Sequence, residues 1–275
     1  MDDRAKTKQN TCRPFSRSLR PSPAWLAIVF FFVLFIPASG FPANFSISPT
    51  SLELGGGVKS GVFSVINGGD EKLNCQIDVK EWSQDADGKD VYTETKDIVF
   101  FPKIMTVGRG EQRAVRIGIK VPAGMKEKTY RLFVEEVPSQ KKGPDAAVPG
   151  KITAGLTIAF RYAAPIFVEP ARPQGRGSIE NMEMAKGTAG ATVRNTGNVR
   201  MKLLTVTFRG KARDGRELFS KDVGGWYVLR GGQRRYETAV PKELCKTLST
   251  IEVSAQAEHV TINGAMDVKP AMCAE

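Results

Sequence analysis

The sequence predicts an all-β protein: two sandwich domains in series behind an export signal. Three observations carry this. After Phe41, short segments that alternate apolar and polar residues recur throughout, with Gly, Asp, Asn and Pro at the breaks. No long stretch shows the helical period of the apolar residues. The first forty residues differ from the rest, with Arg4, Lys6, Lys8, Arg13, Arg17 and Arg20 ahead of the apolar run "AWLAIVFFFVLFI".

That run spans 13 residues, short of the roughly 20 needed to cross a bilayer core. Small residues, "PASG", follow it, so residues 1–40 read as a signal peptide with cleavage after Gly40. An uncleaved anchor is the competing reading. No cysteine directly follows the run to accept a lipid. Removing 1–40 takes away six basic and two acidic side chains, so the net charge falls from +11 to 34 − 27 = +7. This excess leans toward acidic partners.

Residues 41–168 read as the first domain. "FSISPTSLEL", "GVFSVING", "LNCQIDVKEW", "DVYTET", "IMTVGRGEQRAVRIGI", "TYRLFVEEV" and "LTIAFRYAAPIFVE" are seven strand-like segments in about 130 residues, a spacing that favours a two-sheet sandwich of immunoglobulin type. Tyr130, Leu132 and Val134 share one face while Phe133 keeps the other apolar, so this strand wants cover on both sides. Residues 169–176 fall in "EPARPQGRG", whose prolines and glycines mark a linker. Residues 177–275 resume the pattern in "AGATVRNTGNVRMKLLTVTF", "ELFSKDV", "GWYVLRGGQRRYETAV" and "IEVSAQAE", joined by Asn-Thr-Gly, Asp-Gly and Gly-Gly turns. They form a second β-sandwich.

Cysteine usage fits export. Cys12 leaves with the signal, and Cys75 sits in an alternating run as a small core residue. Pairing Cys245 with Cys273 would close a loop of roughly 29 residues, worth about 3 to 4 kcal/mol by chain entropy. A thiol nucleophile has only His259 to serve as its base.

Enzyme signatures are missing: there is no G-x-S-x-G, no H-E-x-x-H, no paired-cysteine metal spacing and no dinucleotide glycine fingerprint. The expectation is a protein without catalysis, cofactor, metal or small-molecule substrate. "GGGVKSG" lacks the Gly directly before Lys that a phosphate loop needs, and "DADGKD" has its glycine too early for a calcium loop, which leaves a hairpin turn. "RGGQRR" at Arg230 to Arg235 reads as a glycine turn between strands rather than a nucleic-acid patch, because basic and acidic residues are otherwise interspersed.

Four blocks, "EWSQDADGKD", "FFPKIMTVGRGEQRAVRIGI", "EKTYRLFVEEVP" and "RYAAPIFVEP", follow one another in the order and spacing of the PapD-like periplasmic chaperones, which assemble pili by the chaperone/usher route. The chain resembles that family from Phe45 to Pro170, and "NTGNVRMKLLTV" extends the likeness weakly into the second domain. The resemblance implies a periplasmic protein that binds pilus or fimbrial subunits by lending a strand and delivers them to an outer-membrane usher. The donor strand would lie within Ile152 to Val168, with Leu156, Ile158 and Phe160 on one face, and "SQKKGPDAAVPGK" would be the loop before it. Burying those three side chains in a subunit would contribute very roughly 5 to 8 kcal/mol before ordering costs. The competing reading places them in this protein's own core.

The resemblance also assigns Glu136 as a buried carboxylate between the domains, paired with Arg116, and leaves Glu135 as a solvated neighbour. The chain departs from the family at the subunit's carboxylate anchors, which fall on Ser51 and Pro165. "YRLFVEE" and "RYAAPIFVEP" look instead like the archaic branch, which makes Arg131 and Arg161 the candidate anchors, each otherwise a salt-bridge residue. Glu169 stands where an Arg is usual before the proline, so the interdomain network is expected to be rewired. The alternative from another class is a secreted two-domain immunoglobulin-like binding or structural protein. A hydrolase on a sandwich scaffold stands third.

Overall fold

The computed structural model describes residues 45–138 and 159–273. Alternation along the strands sorts side chains between core and solvent, and ten strands make the first sandwich: β1 (Phe45–Ser48), β2 (Leu52–Leu54), β3 (Ser60–Asn67), β4 (Leu73–Gln84), β5 (Asp90–Glu94), β6 (Ile98–Phe101), β7 (Ile104–Val107), β8 (Gln112–Ile119), β9 (Lys128–Glu136) and β10 (Arg161–Val168). One sheet runs β1-β3-β8-β6; the other runs β2-β10-β9-β4-β5, with β7 also on β4. Phe63, Val65, Val115 and Ile117 of the first sheet meet Ile77, Val79, Tyr130, Leu132, Val134, Ala164 and Ile166 of the second. The expected single strand "FSISPTSLEL" is two strands on different sheets: β1 lies antiparallel to β3, and β2 lies parallel to β10. Pro49, which has no N–H to donate, stands at the crossing.

The second sandwich packs β11 (Gly177–Ala185), β12 (Thr188–Asn195) and β16 (Gln233–Ala239) against β13 (Met201–Lys211), β14 (Glu217–Gly224), β17 (Thr250–Ala257) and β18 (Thr261–Asp267), with the short β15 (Tyr227–Val228) on β13. Ala189, Ala191 and Val193 face Val206, Phe208, Ile251, Val253 and Ala255 in its core. A four-residue helix, α1 (Lys242–Cys245), precedes β17, and a 3-10 turn spans Pro270–Cys273. Cys245 and Cys273 are joined, with Cα atoms 5.9 Å apart, while Cys75 is free and buried. No described helix is long and apolar enough to cross a membrane.

The two sandwiches share a local device. Asn67 and Asn195, each 1% exposed, close the corresponding strands β3 and β12. The Asn67 side-chain amide donates to the Glu71, Val107 and Gly108 carbonyls, and its oxygen accepts from Gly69 N. Asn195 repeats the arrangement, donating to Val199 and Val228 O and accepting from Gly197 N. The Asn-x-Gly turn therefore satisfies backbone groups that a strand end would otherwise bury unpaired.

The described residues of both sandwiches belong to one compact unit. At their junction Trp82, Phe167 and Leu229 pack together with Tyr227 against them. Gln84 Nε2 donates to Tyr227 O at 2.9 Å, and Leu229 N donates back to Gln84 Oε1 at 2.9 Å. The hairpin after β4 docks as well: Gln233 Nε2 donates to Ala86 O and Arg234 Nη1 to Gly88 O. Gly88 has φ +76° and lies so close to the second sandwich that a Cβ would sit 2.4 Å from Gln233 O, so glycine is required there twice over. The glycine turns "DADGKD" and "RGGQRR" are thus two halves of one contact.

Candidate strand-addition site

β10 supplies the site. Glu136 N donates to Phe160 O at 2.9 Å, so with the β9 register the even-numbered residues of β10 are the hydrogen-bonded partners of β9. The N–H and C=O groups of the odd-numbered residues turn to the other edge, where β2 pairs only Ile166 to Val168. From Arg161 to Pro165 that edge carries no strand among the described residues. Pro165 sits at a position whose missing N–H costs β9 nothing.

Phe160 is half-buried and packs on this protein's own core, in line with Ala164, Ile166 and Val168. It does not stand free of the first sandwich. Leu156 and Ile158, the other two expected donor positions, lie outside the described residues.

The outer face of this sheet carries a run of aromatic and cationic groups. The Arg131 guanidinium lies 3.8 Å from the Trp82 ring centroid and 5.7 Å from that of Trp226. Its Nη1 donates to Ala163 O at 3.0 Å. Arg131 is 5% exposed, and its buried Nε and Nη2 have no hydrogen-bond partner among the described residues. Burial pulls its pKa below the ordinary arginine value. Further along, Arg161 stacks 4.1 Å over Phe133, and Tyr92 meets Phe133 edge-on at 5.1 Å. Arg161 is exposed and lies 3.9 Å from Glu135, both side chains about half open to solvent at 51% and 54%. Trp82 stacking on Arg131 was not foreseen from sequence, although β4 and β9 are neighbours; alternation alone could have put both on the outer face.

The expected Arg116 and Glu136 pair is not brought together. Arg116 is exposed on β8 of the other sheet, opposite Phe101 and Val62. Glu136 ends β9 beside Cys75 and accepts from Phe160 N at 3.3 Å. Burial first and Glu136 second push the Cys75 thiol up to about 11. The carboxylate between the domains is instead Glu127, nine residues earlier and about 30 Å away along the strand at ~3.3 Å per residue. Glu127 is 0% exposed; it pairs with Arg200 Nη1 and accepts from Arg200 N at 2.8 Å. Arg200 also reaches Glu169 at 3.3 Å, pairs with Glu53, and stacks 3.7 Å over Phe167. Burial raises the Glu127 carboxyl above its ordinary range, with Arg200 pulling the other way. Glu169 is thus part of the interdomain network. Among the described residues, no group of His, Cys, Asp and Glu could hold a metal ion.

The fold defines a two-domain immunoglobulin-like protein in which, among the described residues, part of the β10 edge of the first domain carries no strand. Residues 44–174 match the family described as pili and flagellar-assembly chaperone, PapD N-terminal domain. Among solved structures, the chaperone–tip adhesion subunit complex CsuC–CsuE from archaic chaperone-usher Csu pili of Acinetobacter baumannii matches at 21% identity and TM-score 0.53, covering 80% of this chain and 98% of that one. The Salmonella enterica SafA pilin complex with the SafB chaperone matches at 15% identity and TM-score 0.51, covering 83% and 99%. The class 5 fimbriae chaperone CfaA matches at 18% identity and TM-score 0.50, covering 82% and 100%. At these identities the likeness is one of fold. No curated protein matches the chain.

Proposed function

We propose that this protein is an exported chaperone that holds pilus or fimbrial subunits by lending them a β-strand and hands them to an outer-membrane usher. Residues 1–40 are its signal peptide and the periplasm its compartment. The observation that carries the reading is the edge of β10 from Arg161 to Pro165, which no strand among the described residues pairs, and which lies beside a buried guanidinium whose Nε and Nη2 have no partner among those residues while its Nη1 holds Ala163 O. An incomplete sandwich could take this edge as its missing strand, with main-chain bonds supplying affinity and alternate side chains supplying specificity. Leu156 and Ile158 are the donor side chains, and Phe160 anchors the strand where it leaves the chaperone's own core. Arg161 meets the subunit's carboxylate from solvent. Arg131 is the deeper anchor.

Co-expression of the exported chain with a small secreted subunit tests this. Ile158→Asn should abolish co-purification while the free protein melts as wild type does. Arg161→Ala should reduce capture without touching the donor face. If Ile158→Asn unfolds the free protein, the side chain belongs to this core; if no subunit co-purifies with the wild type, the protein is a secreted binding or structural module instead.

A further inference from the structure

The loop between β8 and β9 reads "KVPAGMK", an uncharged stretch bracketed by Lys120 and Lys126. Ala123 packs on the first core. Its neighbours turn away: Met125 is 88% exposed and Val121 41%, and Pro122 and Gly124 are open to solvent as well. The loop is nevertheless fixed in place. Asn198 Nδ2 donates to Met125 O at 2.9 Å and to Arg172 O at 3.0 Å. Glu127 N donates to Asn198 O, and Arg230 Nε donates to Glu127 O. Thr196 N and Gly197 N donate to Arg176 O. One turn of the second sandwich thus gathers this loop, the linker and Arg230 at a single rim.

That rim is basic and its charge is not spent. Lys120, Lys126, Arg172, Arg176 and Arg230 are exposed, and none has an ion-pair partner among the described residues. The carboxylates close by are engaged, Asp97 by Lys128 and Tyr130, and Glu53, Glu127 and Glu169 by Arg200. We infer that this rim docks on the surface of a bilayer rich in anionic phospholipid. An apolar loop tip between lysines can enter the headgroup boundary while the ammonium groups stay level with the phosphates. Each further cation adds attraction to an anionic surface. The two signals together give reversible binding where either alone would be marginal. Met125 projects from a convex edge, and a fluid bilayer takes up such a side chain without a matching pocket. Docking there leaves strand addition unhindered: Arg172 follows the end of β10, whereas the open edge begins at Arg161, the other end of an eight-residue strand and roughly 23 Å away.

The test is co-sedimentation of the exported protein, without its residues 1–40, with sucrose-loaded vesicles of phosphatidylglycerol and phosphatidylcholine in equal parts. Vesicles of phosphatidylcholine alone are the comparison. The protein should pellet with the first and stay in solution with the second, and added salt should release it. Lys126→Glu combined with Arg172→Glu should weaken binding about tenfold or more. Met125→Ser should weaken it about fivefold and leave the salt dependence as it is. All three side chains are exposed, so melting should stay at the wild-type value; Met125→Ser remains informative if the double variant folds poorly. Ile158→Asn should leave vesicle binding intact, and the rim variants should leave subunit co-purification intact, so failure here and failure of strand donation are told apart. Equal binding to both vesicles, no binding to either, or unchanged binding by the double variant would overturn the inference. So would a Met125→Ser protein that binds as wild type does, because the loop tip would then have no part in it. A protein that ignores the vesicles but binds a labelled decapeptide of Asp and Glu would assign the rim to an acidic protein instead.

Discussion

Arg200 faces three carboxylates, Glu53, Glu127 and Glu169, and they are not equivalent. Glu53 is 58% exposed and Glu169 36%, whereas Glu127 has no contact with solvent. Water already screens the first two. Removing Arg200 therefore strands a buried charge, while removing the Glu127 charge leaves Arg200 two other partners. Arg200→Met should lower stability by about 3 kcal/mol or more, against about 1 kcal/mol for Glu127→Gln, which keeps an acceptor for Arg200 N. Urea midpoints of the two variants check this, and equal losses would show that the pair does not work through burial. At this scale the sequence was least legible. "EKTYRLFVEEVP" has glutamates at both ends, and nothing local tells which end meets the second domain. The family resemblance pointed to Glu136, and the structure buries Glu127.

Individual strands were more legible, because alternation reports burial directly. β9 places Tyr130, Leu132 and Val134 in the core and covers Phe133 on the opposite face, as the alternation in "TYRLFVEEV" predicts, and it also covers Arg131, which the alternation did not foretell. β6, β11 and β18 were not among the expected segments. β6 is a four-residue run without alternation, cut short by Pro102, and β11 is broken by a bulge between Glu180 and Glu183, where Asn181 takes φ 49°. Short edges and bulges erase the period on which such reading depends. The four-residue α1 is too short to show one at all. It is fastened instead by the disulfide to the 3-10 turn of Pro270–Cys273, 28 residues on. Reduction should lower stability by about 3 kcal/mol on the loop-closure model. Thiol labelling of the oxidised protein should find one reactive cysteine after unfolding. In the folded state Cys75 should label very slowly, because it is buried and its pKa is pushed up to about 11. Three labelled thiols in the oxidised sample would remove the disulfide from this account.

At the scale of the whole molecule, composition and turn spacing gave two sandwiches in series, but not how they are held together. The junction is built from long-range pairs, such as Gln84 with Leu229 and Glu127 with Arg200, whose members lie 145 and 73 residues apart. No local pattern encodes such a pair. One of them doubles as a reporter. The Leu229 amide hydrogen ends not on a strand neighbour but on the Gln84 side chain of the other sandwich, so it can meet deuterium only when the sandwiches part or the whole protein opens. Its exchange rate therefore measures how often the hinge gapes, separately from the unfolding of either domain. In wild-type protein it should exchange almost as slowly as amides in the centre of β13, and in Gln84→Ala it should exchange far faster while those amides stay protected. A fast Leu229 amide in the wild type would mean that the angle between the sandwiches is re-set continually in solution, so that the contacts at Gln84 close the junction only part of the time.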